Sequence, residues 1–468
     1  MPSPYTGLTT TLLRPLLFLA LLVYANMPAG SAQSLAFSPA AEDPALLQSL
    51  LTEHEQHYKA GITRLPAAYK KDYAAIYQQR WDHIKTVFDK KEIYTEQTAQ
   101  QYLDALVAAV VKANPVLQDS AFHCYFSRSG VPNASYLGEG LILFNMGLFC
   151  KLENESQAAF VICHEIAHYF LQHSEHSIEK YVSTLNSEAV QKELRRIKRS
   201  EYGKRALVDK LVKGLTFGSR RHSRDHEAQA DSMAVELMRH TPFDITGALT
   251  ALGILDRIDT DTLNTAACLA QLFHAKEYPF REKWIAREEG LLGGHAHLER
   301  DSVLEDSLKT HPDCRLRIQL LEPVVNRYQT SGRSANPVDG NKFAALRHTF
   351  AYEIVEYAYV SDNYTRSLYH TIALLQQHPE DPYLVTQAGR ILNGCYAAQK
   401  AHTLGKRIEL PSPGFSPGYN LLLQFIQNLY PEDFAAISYY YLHRHVDRLS
   451  GYPAFTKAYN TSFHEIKQ

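Results

Sequence analysis

The chain has 468 residues, too many for one hydrophobic core, so two or three domains are expected. With 45% hydrophobic and 21% charged residues it is neither a disordered chain nor a polytopic membrane protein. A formal net charge of -2 excludes bulk electrostatic attraction to nucleic acid or acidic lipid.

The N-terminus carries an export signal pattern. Arg14 precedes an apolar run at 16–24, and Pro28, Ala29, Gly30, Ser31 and Ala32 follow it. This is the pattern of a cleaved signal peptide, placed at 1–32. A retained anchor is the competing reading, but the run is well short of the ~20 residues a span needs. No cysteine follows within reach, so a lipid anchor is not expected. The mature protein is therefore expected in the periplasm or extracellular space, with peripheral membrane association compatible. Six cysteines, at 124, 150, 163, 268, 314 and 395, are too scattered for a disulfide scaffold, although export permits one or two bridges.

Residues 33–94 read as an N-terminal helical segment, with an amphipathic helix at 46–57 and a longer one at 67–90. A further helix is expected at 96–111, carrying the apolar series Leu103, Leu106, Val107 and Val110. Both longer helices read as cover for a core. Short β-rich runs at 122–126 and 140–144, with the turn-like VPNAS between them, predict two strands of a small sheet. An edge strand there would bind an extended peptide by strand addition.

The stretch 158–173, AAFVICHEIAHYFLQH, reads as one buried helix. His164, Glu165 and His168 form H-E-x-x-H, and the four-residue spacing stacks both imidazoles on one face. Phe160, Ile162, Ile166, Phe170 and Leu171 cover the other sides, as in a core helix. Two histidines and a glutamate inside such a helix are costly to bury without a partner, and a metal ion supplies one. Cys163 turns away from the ligand face and reads as a small buried thiol.

Zinc needs a third protein ligand and an open position. In SRDHEAQADSMAVELM, Glu227 and Asp231 are four apart and share a face, and Ala230 and Ala234 allow close helix approach. Glu227 is assigned as the ligand. Asp231 is assigned to accept the ring N–H of a ligand histidine and so fix its tautomer. The basic insert at 174–224 reads as a solvated helical flap, with a gate or a docking face for an acidic partner as the alternative.

Residues 242–255 read as a helix backing the Glu227 helix. His295 and His297 follow a Gly-Gly turn and suit an exposed loop better than a second metal pair. The breaker-rich SGRSANPVDG at 331–340 reads as a linker. Beyond it, helical patterns at 343–360, 364–377 and 382–399 are punctuated by HPEDP, and a second hairpin is expected at 419–429 and 432–443. The spacing is that of a degenerate tetratricopeptide (TPR-like) repeat at 341–468, whose concave surface would hold polypeptides. A plain helical cap is the competing reading.

HEIAHYFLQH, EAQAD and THPDCRLRI, together with PNASYLGEGLILFNMGLF upstream, resemble the M48 family of zinc metallopeptidases. The resemblance spans roughly 95–322 and implies an α+β, mainly α fold: a zincin-type metallopeptidase domain with a small sheet at 95–330. It implies one zinc per chain on His164, His168 and Glu227, with Glu165 as the base and Asp231 as support. It further implies a site role for His311, near the metal or capping its open position, and for Arg317, orienting that loop or holding substrate. His173 completes the family's HExxHxxxxH, but on a continuous helical wheel it faces away from zinc and reads as structural. The long apolar segments of the integral-membrane branch are missing, so the resemblance points to the soluble envelope branch.

Two functions follow as expectations. The first is an exported zinc endopeptidase acting on unfolded or misassembled envelope proteins, with no nucleic-acid partner. The second is an assembly factor that works through the helical domain while His311 keeps the zinc site shut.

Overall fold

The computed structural model describes residues 37–200, 224–258, 263–286, 314–328 and 332–468. The signal stretch, residues 201–223 of the basic insert, and residues 287–313 with His295, His297 and His311 lie outside the described residues. The described chain is mainly helical with one three-stranded sheet.

The first helix, α1 (Pro44–Thr63), starts at an Asp43 side-chain cap with Pro44 at its first position. Helices α2 (Lys70–Asp89) and α3 (Gln97–Ala113) follow, the latter capped by the Glu96 carboxylate on the amides of Thr98 and Ala99. Leu103, Leu106 and Val110 of α3 are fully buried.

Three strands follow where two were expected: β1 (His123–Ser127), β2 (Ala134–Gly138) and β3 (Leu141–Asn145), in the order β1-β3-β2. The run near Gly140 is therefore the central strand, parallel to β1 and antiparallel to β2. The edges are β1 and β2, and the ASYLG of β2 carries too little apolar alternation to read as a strand. Side chains of β3 alternate between two cores. Ile142 and Phe144 join the core that also holds Ala158, Phe160 and Ile162, and Leu141 and Leu143 pack with Trp81, Ile84 and Phe88 of α2.

The β2–β3 turn holds three consecutive left-handed residues, Gly138 (φ 96°), Glu139 (φ 52°) and Gly140 (φ 75°). A Cβ on Gly140 would lie 2.5 Å from the Ala121 carbonyl oxygen, so only glycine fits. Glu139 is held there from outside: its carbonyl meets the Nδ1 atoms of His54 and His57, and Arg80 pairs with its carboxylate.

The expected helix at 158–173 is two helices. The first, α4 (Glu155–Phe170), is capped by Asn154, and every residue from Glu155 to Ala167 is buried. It stops after Phe170 because Gln172 takes a left-handed backbone (φ 53°), and α5 (His173–Leu185) starts in a new direction. Helix α6 (Glu188–Arg199), with a strongly basic exposed face, follows. Residues 224–238 form α7, whose Ala230 and Ala234 are fully buried. Helix α8 (Gly247–Arg257) packs on α4 so closely that a Cβ on Gly247 would meet the Ser156 backbone at 2.7 Å. Helix α9 (Thr265–Phe273) precedes α10 (Cys314–Val325), which carries buried Arg317 and Leu321.

The breaker-rich stretch is tied down by the start of α4. The Glu155 side chain is fully buried and accepts from Tyr102 Oη at 2.8 Å and from the amides of Val338 and Asp339 at 2.7 Å each. The Asp339 side chain then caps α11 (Gly340–Val360), whose Phe343, Leu346, Phe350 and Ile354 belong to the same apolar core as α4. Helices continue: α12 (Tyr364–Leu375), α13 (Pro382–Lys400), α14 (Pro417–Asn428), α15 (Pro431–His443) and α16 (Pro453–Glu465). Helix α16 has no counterpart in the sequence reading. Contacts divide the chain into Met1–Ser38 and Pro39–Gln468, and all elements named here belong to the second unit. Among the described residues no helix is long and apolar enough to cross a membrane, and Cys124, Cys150, Cys163, Cys268 and Cys395 are free thiols.

Candidate metal centre

One turn of α4 separates His164 from His168, and their Nε2 atoms lie 3.0 Å apart. Glu227, from α7, presents Oε2 to His164 Nε2 at 3.5 Å and Oε1 to His168 Nε2 at 3.5 Å. Ligands about 2.0–2.1 Å from a tetrahedral zinc ion should be about 3.3 Å from one another. The observed separations bracket that value. Among the described residues this trio is the one group of histidine, cysteine or acidic side chains close enough to share an ion. Two neutral nitrogens and one carboxylate oxygen form the donor set of a catalytic zinc site, so the residues fit the metal. His168 and Glu227 keep side-chain exposures of 17% and 20%, so the cluster is open to solvent on their side.

Behind the trio lies a buried charge network. Asp231 Oδ1 is 2.9 Å from His164 Nδ1, which places the His164 proton on Nδ1 and turns Nε2 toward Glu227. Arg317 donates from Nε and Nη2 to the two Asp231 oxygens at 2.7 Å each, and its Nη1 is 3.1 Å from Glu227. At 5% exposure, Arg317 grips the Asp231 and Glu227 carboxylates. Burial disfavours the His164 imidazolium, but hydrogen bonds to Asp231 and Glu227 and their charges outweigh it and push the metal-free pKa up to about 10. Burial likewise works against the Glu227 carboxylate, yet His164, His168 and Arg317 hold its pKa well below the usual range.

Glu165 is buried next to His164 on α4. Its Oε2 accepts the amide N–H of Tyr136, on edge strand β2, at 2.7 Å. The carboxylate is thereby tied to the strand.

His173 is the residue the wheel misplaced. Because the helix breaks at Gln172, the His173 ring returns to α4, with its Nδ1 3.0 Å from His168 Nδ1 and its Nε2 3.1 Å from Gln229 Oε1. It stacks on the His226 ring at 4.3 Å and is 4% exposed. Burial and its neighbours His168 and His226 lower its pKa to about 4, so it is neutral at pH 7. Cys163 is fully buried, and burial raises its thiol pKa far above neutrality.

The structure thus brings together His164, Glu165, His168, Glu227, Asp231 and Arg317, and adds His173, Gln229 and the Tyr136 amide. His311 lies outside the described residues. A search of the curated proteins finds no match. Residues 97–325, just under half of the chain, match the family model of Peptidase family M48, and this match supports placing the chain among the M48 peptidases, which are zinc-dependent.

Proposed function

We propose that this chain is an exported zinc-dependent metalloendopeptidase that cleaves unfolded or misassembled envelope proteins. The observation that carries the reading is the convergence of His164, His168 and Glu227, with Glu165 next to a ligand histidine on the same helix. A zinc ion held by these three residues would supply an acidified water and polarise the scissile carbonyl.

The protein's own groups do the rest. Glu165 takes the proton from the attacking water and returns it to the leaving amine as the peptide bond breaks. The Tyr136 amide holds the Glu165 carboxylate in place for that transfer. Arg317 acts through Asp231 and Glu227, keeping both ionised and aimed. His311 is assigned to the open side of the site, as a cap or as a donor to the oxyanion. The edge of β2 would align an extended substrate by strand addition, and the helices after residue 340, read as TPR-like hairpins, would present clients.

The test is cleavage of casein or an unfolded envelope protein by zinc-loaded wild type, Glu165→Gln and His311→Ala. Wild type should cleave and Glu165→Gln should lose at least ~100-fold, in line with removal of a general base. If neither wild type nor His311→Ala cuts, the peptidase reading fails.

A further inference from the structure

We propose that His173, anchored by Gln229, is a positioning residue that sets the tautomer and ring orientation of His168. The inference rests on the reading of His164, His168 and Glu227 as metal ligands.

The backbone makes the contact. Had α4 continued, residue 173 would have projected away from His168; the left-handed Gln172 ends the helix, and α5 begins with His173 folded back over it. The two Nδ1 atoms then meet at 3.0 Å, so one must donate and the other accept. Gln229 decides which. Its carbonyl oxygen lies 3.1 Å from His173 Nε2 and can only accept, so the His173 proton sits on Nε2. His173 Nδ1 is then the acceptor, and the His168 proton sits on Nδ1. That leaves His168 Nε2 with a bare lone pair, directed at His164 Nε2 and Glu227.

With the relay reversed, His168 Nε2 would carry the proton and could not bind a metal. Stacking on His226 and near-complete burial hold the His173 ring in one plane, so the preference acts on a single geometry. Each ligand histidine therefore has its own orienting partner: Asp231 for His164, and the His173–Gln229 pair for His168. Loss of such a partner costs about 10–100-fold in metal affinity.

The experiment measures zinc affinity of the full chain by chelator competition, together with the visible spectrum of the cobalt-substituted protein. His173→Phe should bind zinc about 10–100-fold more weakly, with the metal-free unfolding midpoint unchanged and the cobalt bands shifted. His173→Asn, whose carbonyl oxygen can accept from His168 Nδ1, should recover to within a few-fold. Gln229→Glu, which can only accept, should match wild type, and Gln229→Met should lose a few-fold because residue 229 is exposed to competing water. A folded His173→Phe with wild-type affinity and spectrum overturns the proposal. If that variant does not fold, equal affinities of Gln229→Glu and Gln229→Met overturn it instead. Wild type that takes up zinc regardless of residue 173 sinks this inference alone, whereas wild type that takes up no zinc sinks the metal reading beneath it.

Discussion

Replacing Arg317 by Met keeps an apolar stem of similar length and removes the charge that faces two carboxylates. Arg317 is 5% exposed, bonds Asp231 at 2.7 Å through two nitrogens, and lies 3.1 Å from Glu227. With His164 protonated, as its raised pKa requires at pH 7, the metal-free cluster sets two carboxylates against one imidazolium and this guanidinium. Removing one partner of a buried ion pair costs about 3–5 kcal/mol, because the remaining charge stays buried without its counterion. That is a large part of the roughly 5–15 kcal/mol that holds a typical domain folded. In the zinc-bound protein Glu227 has the metal as partner and Asp231 retains the His164 N–H. The loss should then shrink toward the value of hydrogen bonds to a charged group, about 1.5–3 kcal/mol. Urea unfolding of wild type and Arg317→Met, each with chelator and with zinc, reads both numbers. Removing Asp231 as well, in Arg317→Met/Asp231→Leu, should restore part of the metal-free loss. A metal-free loss below about 1 kcal/mol, or equal losses with and without zinc, would refute the charge argument.

Three further outcomes are expected. The metal-free His164 pKa is raised to about 10 from 6.5, so protonation stabilises the metal-free fold fully below about 6.5 and this contribution is lost as pH rises through about 10. Zinc must displace that proton, so calorimetry at pH 7 in buffers of different ionisation enthalpy should show about one proton released per zinc, and zero release contradicts the assignment. Glu155→Gln places an amide NH2 among three donors and should cost about 2–3 kcal/mol, with faster hydrogen exchange at Val338 and Asp339; unchanged exchange there would count against Glu155 as the fastener. Gly140→Ala forces a Cβ toward the Ala121 carbonyl at φ 75° and should cost about 1–3 kcal/mol in denaturant unfolding, whereas a change under about 0.5 kcal/mol would show that the turn relaxes freely.

The parts of the site that follow helical spacing were legible in the sequence. His164 and His168 one turn apart, and Glu227 and Asp231 one turn apart beside two alanines, describe two faces that can meet, and the structure brings these side chains together. The helices between residues 340 and 443 were equally readable, since Asp381 and Pro382 mark a helix start by capping chemistry, whereas α16 was not foreseen. Position 173 was not readable, because nothing in YFLQH is a glycine or proline, and the helix ends on a left-handed glutamine. Strand β2 was missed because its pairing is set by β3 and by the clamp of His54, His57 and Arg80 on the following turn. Arg317 was placed in the right neighbourhood by resemblance, but its hold on the two carboxylates depends on α10 packing behind α7, which no local pattern encodes.

The central claim is that His164, His168 and Glu227 hold one ion between them. Metal analysis of the purified full-length chain and of His164→Ala tests it most directly. One zinc per wild-type chain is expected, and less than a tenth of that in His164→Ala after dialysis against a mild chelator; stoichiometric zinc in the variant would contradict the assignment.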